Sequence, residues 1–224
     1  MTPGFRVLTR TRAVSPEIAA AYLEVPVATV SDSMRRLTAG GSTIRPMHSG
    51  STLSGPAFTV RTRPGDNLMV HLALDLAAPG DIIVVDAGGD LTNAIMGELM
   101  VLHAAQRGIG GVVINGAIRD SAELAQQSLP VFAAGVTHRG PYKDGPGEIN
   151  VPIAIDGMTI EPGDLIIGDA DGILAVPFDH AESVLTAARA KLASEERSAE
   201  QFRNGTSARD HIRDRAIALG AVFE

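Results

Sequence analysis

Two stretches of this chain, Gly97-Glu98-Leu99-Met100 and Asn115-Gly116-Ala117-Ile118-Arg119-Asp120, carry residue types that could do chemistry together. An arginine presents a planar fork of donors to a carboxylate or an enolate oxygen. The aspartate beside it can hold a hard cation such as Mg²⁺, so the pair suits a chelating 2-oxo acid. Glu98 shares a helical face with Val101, Leu102 and Ala105, which sets a carboxylate against apolar neighbours near a helix start. From there it could exchange protons through a bound water. If the helix begins at Gly97, the free amides of Leu99 and Met100 could receive a substrate carboxylate. Plainer explanations exist for each residue. An Arg-Asp dipeptide can be a surface ion pair that caps the next helix, and a first-turn glutamate can simply be solvated at the positive helix end.

These residues depend on the elements around them. Between residues 81 and 136 the pattern predicts a strand over 82–85, a helix over about 97–106, a strand over 111–114, a helix over about 122–127 and a strand over 131–134. This βαβαβ order calls for parallel strands joined by helical crossovers, and the fold class is α/β. Ligands meet parallel sheets at the carboxyl ends of strands, where Arg119-Asp120 falls. Upstream, Ser15-Pro16-Glu17 is an N-cap, a first-position proline and a first-turn acid, opening a helix to about Leu23. A second helix is expected over 29–37, a loop over 40–55, a strand over 57–62 and a helix over 71–77. Residues 139–148 read as a loop, followed by strands over 151–155 and 165–167. Asp179 with Glu182 resembles a capping box opening a long helix, with Val184, Leu185, Ala188 and Leu192 apolar. Ser207 with Asp210 is a start for a last helix.

Pro79-Gly80-Asp81 before one apolar strand is echoed by Pro162-Gly163-Asp164 before another, which good turn chemistry explains without a true repeat. Gly108-Ile109-Gly110-Gly111 follows a helix and lacks a phosphate-loop lysine, so it reads as a helix stop. Ser31-Asp32-Ser33 reads as helical, not as a nucleophile. His71 and His103 have no second histidine at ligand spacing and receive no role. The basic loop containing His138, Arg139 and Lys143 could meet extra substrate carboxylates or simply be solvated.

Composition narrows the classes. With no cysteine, thiolate metal sites, disulfides and cysteine nucleophiles are excluded. A formal charge of −7 without a dense basic run argues against nucleic acid as a direct partner. The apolar stretches are too short to span a membrane and the first twelve residues lack the apolar core of a signal peptide, so cytoplasmic residence is expected. No linker divides the 224 residues, and a single domain is expected over 1–224, with C-terminal helices from about residue 179 available to pack on a neighbouring subunit.

Taken together, Ala28-Thr29-Val30-Ser31-Asp32, Pro79-Gly80-Asp81 leading to Asp86-Ala87-Gly88-Gly89, Gly97-Glu98-Leu99, Gly116-Ala117-Ile118-Arg119-Asp120 and Gly168-Asp169-Ala170-Asp171-Gly172 resemble the RraA-like family over about residues 28–177. That family includes 4-hydroxy-4-methyl-2-oxoglutarate and 4-carboxy-4-hydroxy-2-oxoadipate aldolases and the RraA regulators of ribonuclease E. Its aldolases resemble an acid, twenty intervening residues and Arg-Asp; Glu98, residues 99–118, Arg119 and Asp120 match, with glutamate where aspartate is usual. The resemblance implies an αββα sandwich around a mainly parallel sheet, related to swivelling phosphohistidine domains, and assembly as a homotrimer or dimer of trimers. It also implies Mg²⁺ or Mn²⁺ on Asp120, the substrate keto oxygen on Arg119, its carboxylate on the Leu99 and Met100 amides next to Gly97, and Glu98 in proton exchange. A neighbour's glutamate would complete the site, with Glu195 and Glu196 as candidates. The implied activity is cleavage of a 4-hydroxy-2-oxo acid to pyruvate through an enolate, with oxaloacetate decarboxylation alongside. A noncatalytic regulator that binds a ribonuclease or RNA helicase is the alternative, and the intact Arg119-Asp120 favours catalysis. Methyl transfer is disfavoured, because no glycine-rich turn follows a first strand.

Overall fold

The computed structural model describes residues 4–37, 40–50, 52–207 and 209–223. The strands, in chain order, are β1 (Phe5–Val7), β2 (Arg45–Pro46), β3 (Leu53–Thr62), β4 (Ile82–Asp86), β5 (Ala94–Met96), β6 (Gly111–Ile118), β7 (Val131–Val136), β8 (Gly147–Ile149), β9 (Ile153–Ile155), β10 (Met158–Ile160), β11 (Leu165–Asp169) and β12 (Gly172–Val176). The helices are α1 (Pro16–Tyr22), α2 (Val27–Ser33), α3 (Leu68–Leu76), α4 (Glu98–Gln106), α5 (Ser121–Leu124), α6 (Ala181–Arg203) and α7 (Asp210–Ala218). The chain divides into two compact units, Met1–Ala188 and Arg189–Glu224.

In the first unit, β4 shows why the centre is a sheet covered on both faces. Its Ile-Ile-Val-Val run is fully buried, a continuous β-branched stretch and not the alternation of a half-exposed strand. Strands β3, β4, β6 and β7 lie side by side in parallel, and β5 pairs in parallel with the end of β6. Toward the margins β2 on β7, β8 on β3, and β11 on both β12 and the first half of β3 pair antiparallel, while the edge strand β1 pairs with β8 in parallel. One face packs α3 and α4 through Met69, Val70, Leu74 and Val101. The other packs α1, α2, the β9–β10 hairpin and the start of α6 through Tyr22, Val30, Ile155 and Leu185. Helices and hairpins on opposite faces of a large, centrally parallel sheet are the mixed α/β layering expected. Each fully buried Val, Leu or Ile contributes roughly 1.5–3 kcal/mol.

Several local expectations need correction. Helix α2 covers Val27–Ser33, not 29–37, because the Asp169 carboxylate accepts the Val27 N–H at 2.9 Å and Arg35 and Arg36 turn into the left-handed region at φ 59° and 62°. The loop expected over 40–55 contains β2 and the start of β3, and that over 139–148 contains the start of β8; these strands are too short or too glycine-rich for periodicity to show. Strands β5 and β10, three residues each, went unpredicted for the same reason, and β12 was also unpredicted. Helix α5 is a single turn, Ser121–Leu124, where a helix over 122–127 was expected. Asp179 does not cap α6: a 3-10 turn (Phe178–His180) intervenes, and Arg12 donates to the Asp179 carboxylate at 3.3 Å.

The two Pro-Gly-Asp echoes form the same turn. Asp81 accepts the Ala78 N–H at 2.8 Å and Asp164 accepts the Glu161 N–H at 2.9 Å, with Gly80 and Gly163 at φ 86° and 91°. Their strands pair with β3 in opposite senses, β4 parallel and β11 antiparallel. The likeness is therefore of turns, not of a repeated fold. Gly108, at φ 74°, ends α4 as a helix stop should.

In the second unit, the remainder of α6 carries Glu195, paired with Lys191 at 2.9 Å, and an exposed Glu196. Helix α7 begins at Asp210, near the expected start. Among the described residues, no helix is long and apolar enough to cross a membrane.

Candidate functional site

Strand β6 runs to Ile118, four residues beyond the expected end, so Arg119 and Asp120 follow its carboxyl end directly. The unexpected strand β5 then builds the site. It lies beside the end of β6, with Ala94 opposite Ala117 and Met96 opposite Ile118, and the Arg119 N–H donates to the Met96 carbonyl at 2.9 Å. Gly97 therefore leaves β5 next to Arg119, and α4 starts there.

Asp120 settles which of its plainer roles applies. It occupies the position before α5, yet its side chain makes no capping bond to that helix. Instead its Oδ2 accepts the N–H of Glu98, the first residue of α4, at 3.0 Å, and Arg119 Nε stands 3.7 Å from the same oxygen. Asp120 reaches this orientation from a left-handed backbone, φ 56° and ψ 41°, a conformation that aspartate and asparagine tolerate better than most residues. Gly97 is required by space: a Cβ there would lie 2.5 Å from Asp120 Oδ2 and 2.9 Å from Arg119 Cγ.

The two side chains open into a cleft of about 180 Å³, lined also by Gly97, Leu99, Met100, Asn67, His71 and Lys143. Arg119 and Asp120 keep 45% and 39% side-chain exposure, so both stay accessible to a ligand. Of the two expected amides, that of Met100 donates to the Gly97 carbonyl at 3.1 Å. The Leu99 N–H, the second of the helix, has no partner among the described residues, since helix geometry gives a first-turn donor no intrahelical acceptor. Glu98 sits in the first turn and gives its N–H to Asp120, but its side chain is not among the cleft walls. Gly97, Leu99, Met100, Arg119 and Asp120 are thus brought together, and Glu98 stands at the edge.

Among the described residues, no three histidines, aspartates or glutamates converge into a ready-made metal cage. Asp120 still fits a hydrated cation. Its Oδ2 is engaged by protein donors, its Oδ1 has no partner among the described residues, and Mg²⁺ commonly binds one or two carboxylates while keeping most of its waters.

Residues not singled out in the sequence hold the cleft together. Asp66, fully buried, accepts the N–H groups of Leu68, Asp144 and Gly145 at 2.8–3.0 Å and the guanidinium of Arg63 at 3.0 Å. It thereby ties the loop carrying Pro141 and Lys143 to the start of α3. Burial alone would raise its pKa, but the three amides and Arg63 outweigh burial and hold the carboxyl below its ordinary value. A depressed folded-state pKa adds stability above the ordinary carboxyl range, about 4, and that stability is lost as pH falls through the folded value. Asp66→Asn is accordingly expected to lose on the order of 3 kcal/mol at neutral pH and to show a weaker dependence of melting temperature on acid than the parent. Parallel melts across acidic pH check this, and equal acid sensitivity would contradict it. Aspartate between arginine and an apolar helix was the one available sequence signal. Asn67, only 2% exposed, donates to the Ile95 carbonyl at 3.0 Å and leaves its Oδ1 unpartnered.

Fold and site together define an α/β protein whose cleft joins an Arg-Asp pair at a strand end to a helix start. The model of the RraA-like family, Aldolase/RraA, matches residues 27–175, and the chain belongs to that family. It is 44% identical over 175 residues to a Halalkalibacterium halodurans protein provisionally named a 4-hydroxy-4-methyl-2-oxoglutarate aldolase, covering 78% of this chain and 83% of that one. Among solved structures, an uncharacterised protein of Pseudomonas syringae pv. tomato has a TM-score of 0.77 at 28% identity, covering 90% of this chain and 98% of that one. The RNA-processing inhibitor RraA of Thermus thermophilus has a TM-score of 0.63 at 29% identity, covering 69% and 93%. Aldolase names among relatives this similar support a lyase.

Proposed function

We propose that this chain is a divalent-metal-dependent aldolase that cleaves a 4-hydroxy-2-oxo acid, such as 4-hydroxy-4-methyl-2-oxoglutarate, to pyruvate, with oxaloacetate decarboxylation as a side activity. The observation that carries this reading is the convergence of Arg119, Asp120 and the first turn of α4 on one cleft. Asp120 would hold Mg²⁺ or Mn²⁺, which when bound supplies Lewis acidity toward the 2-oxo group. The Leu99 N–H and the positive end of α4 receive the substrate's 1-carboxylate. As the 4-hydroxyl passes its proton through water to the Glu98 carboxylate, C4–O becomes a carbonyl, the C3–C4 bond breaks, and its electron pair moves to C3=C2. The C2 oxygen becomes negative, and Arg119 stabilises it more strongly than the neutral ketone. A proton then returns to C3, and Glu98 is assigned that exchange through water. In this reading the protein resides in the cytoplasm as a homotrimer or dimer of trimers, with Glu195 or Glu196 of one subunit completing another's site.

Pyruvate release from 4-hydroxy-4-methyl-2-oxoglutarate and from oxaloacetate, with Mg²⁺, Mn²⁺ or chelator, tests the proposal. Release that requires metal supports it; no release above the metal-only background overturns it. Similarity to the RNA-processing inhibitor RraA of Thermus thermophilus favours a second reading, a noncatalytic regulator that binds a ribonuclease or RNA helicase. Binding to such a partner without turnover would select that reading.

Gly97→Ala is expected to lower kcat/KM for pyruvate release on the order of 10²-fold, because the new methyl displaces both Asp120 and Arg119 by a fraction of an ångström or more. Both neighbours are partly exposed and can yield, so the melting temperature should move by only a few degrees. Steady-state kinetics beside a thermal melt check this, and unchanged kinetics would refute the tight approach.

A further inference from the structure

Strand β8 follows the loop that supplies Pro141 and Lys143 to the cleft wall, and its middle residue is Glu148. Glutamate is almost never fully buried unless it is paired, and Glu148 is only 4% exposed. Its partners come from both sides. In the register of the sheet, Arg6 on β1 and Arg61 on β3 lie directly opposite it. Arg6 Nε donates to Oε1 at 2.6 Å, the Gly4 N–H donates to the same oxygen at 3.2 Å, and Arg61 Nη1 stands 3.4 Å from Oε2. The Gly4 amide first, then Arg6 and Arg61, hold the carboxyl below its ordinary value against the effect of burial, so Glu148 is charged at neutral pH.

β1 has only three residues, and a strand so short offers little side-chain pattern to fix its register. The ion pair supplies what the pattern lacks. Sliding β1 by one residue would turn Arg6 to the opposite face and leave Glu148 with Arg61 alone. The observed register sets Phe5 opposite Gly147 and its ring over Gly145, where a β-carbon would lie 3.3 Å from Phe5 Cζ and 3.6 Å from Leu68 Cδ2. Phe5 is itself 58% exposed and so adds little to the core. What it covers is the stretch Asp144-Gly145, whose amides point inward to Asp66 at 2.8 and 2.9 Å. The end of the cleft loop is thus held from inside by Asp66 and from outside by β1.

We propose that Arg6 and Glu148 are positioning residues for the cleft: their ion pair seats β1 on β8, and β1 with Phe5 clamps Asp144-Gly145, which keeps the loop wall in place without touching a ligand. The clamp is independent of what the cleft binds. Its consequence for turnover rests on the aldolase reading.

Hydrogen exchange of the Asp144 and Gly145 amides in the full chain, read by mass spectrometry, tests the clamp. Arg6→Met leaves Arg61 beside Glu148, so no buried charge is stranded and the chain should fold. In that variant the two amides are expected to exchange about tenfold faster, as the loss of one charge-assisted hydrogen bond implies. Arg6→Lys should restore most of the protection. Phe5→Ala, which spares the ion pair, should speed the same two amides. Arg12→Met is the control, because Arg12 belongs to the same extended segment but pairs with Glu161 and Asp179. It should lower the melting temperature and leave the loop's exchange as in the wild type. In pyruvate release, Arg6→Met should raise KM severalfold at unchanged kcat, since fewer chains hold the wall in place. Loop exchange unchanged by Arg6→Met, or raised equally by Arg12→Met, overturns the proposal, as does faster exchange with KM unmoved. If the protein releases no pyruvate, the exchange result alone decides the clamp and only the aldolase reading falls.

Discussion

Pyruvate release by Asp120→Asn is expected to fall to the background of the metal alone, while the variant melts within a few degrees of the parent. Asparagine tolerates the left-handed backbone at position 120 and keeps an oxygen that can accept the Glu98 N–H. Only the negative charge is removed, together with its attraction for a hydrated cation. Asp120→Ala should be equally inactive but less informative. It also loses the cap on α4, worth about 1 kcal/mol, and forces a β-carbon without a local hydrogen bond into the left-handed region, which costs roughly 1–2 kcal/mol. Activity and stability would then fall together. Measuring Mg²⁺ binding alongside kinetics separates the two causes, and metal-dependent release that persists in Asp120→Asn would falsify the assignment of Asp120 as the metal ligand.

Arg119→Ala is expected to lower kcat on the order of 10²-fold or more, the usual consequence of removing one donor to a developing oxyanion. The guanidinium is 45% exposed and its one ion-pair partner among the described residues is the adjacent Asp120, so its removal leaves no buried charge stranded. Stability should therefore be nearly unchanged. Lysine at this position restores the charge but not the planar fork, and Arg119→Lys should recover only part of the loss. If Arg119→Ala raised KM alone and left kcat intact, the arginine would bind substrate without favouring the transition state.

The parallel centre of the fold was legible in the sequence because β4 and the first half of β6 are runs of β-branched residues between turn signals, with helical patterns alternating between the strands. The Ile82–Asp86 strand after Pro79-Gly80-Asp81 is the clearest example, and the same turn before an apolar run marked the antiparallel Leu165–Asp169 strand at the margin. Short strands were not legible. Three residues such as Ala94-Ile95-Met96 carry no period, and their strand character comes from pairing with β6. The Arg35–Arg36 turn was equally hidden, since arginine has no preference for positive φ.

The candidate site divides in the same way. Residue types at Glu98, Arg119 and Asp120, their order along the chain, and Arg119-Asp120 near the end of a parallel strand follow from local pattern alone, because periodicity and turn chemistry act within a few residues. Tertiary structure decided what those residues do to one another. Asp120 caps α4, 22 positions away, and not the helix beside it. Met100 gives up its amide to Gly97 while Leu99 keeps its own free, and Lys143 reaches His71 across 72 positions through a loop tied down by a buried aspartate. Contacts of that range depend on strand pairing and on how buried polar groups find partners, which no local stretch of sequence encodes.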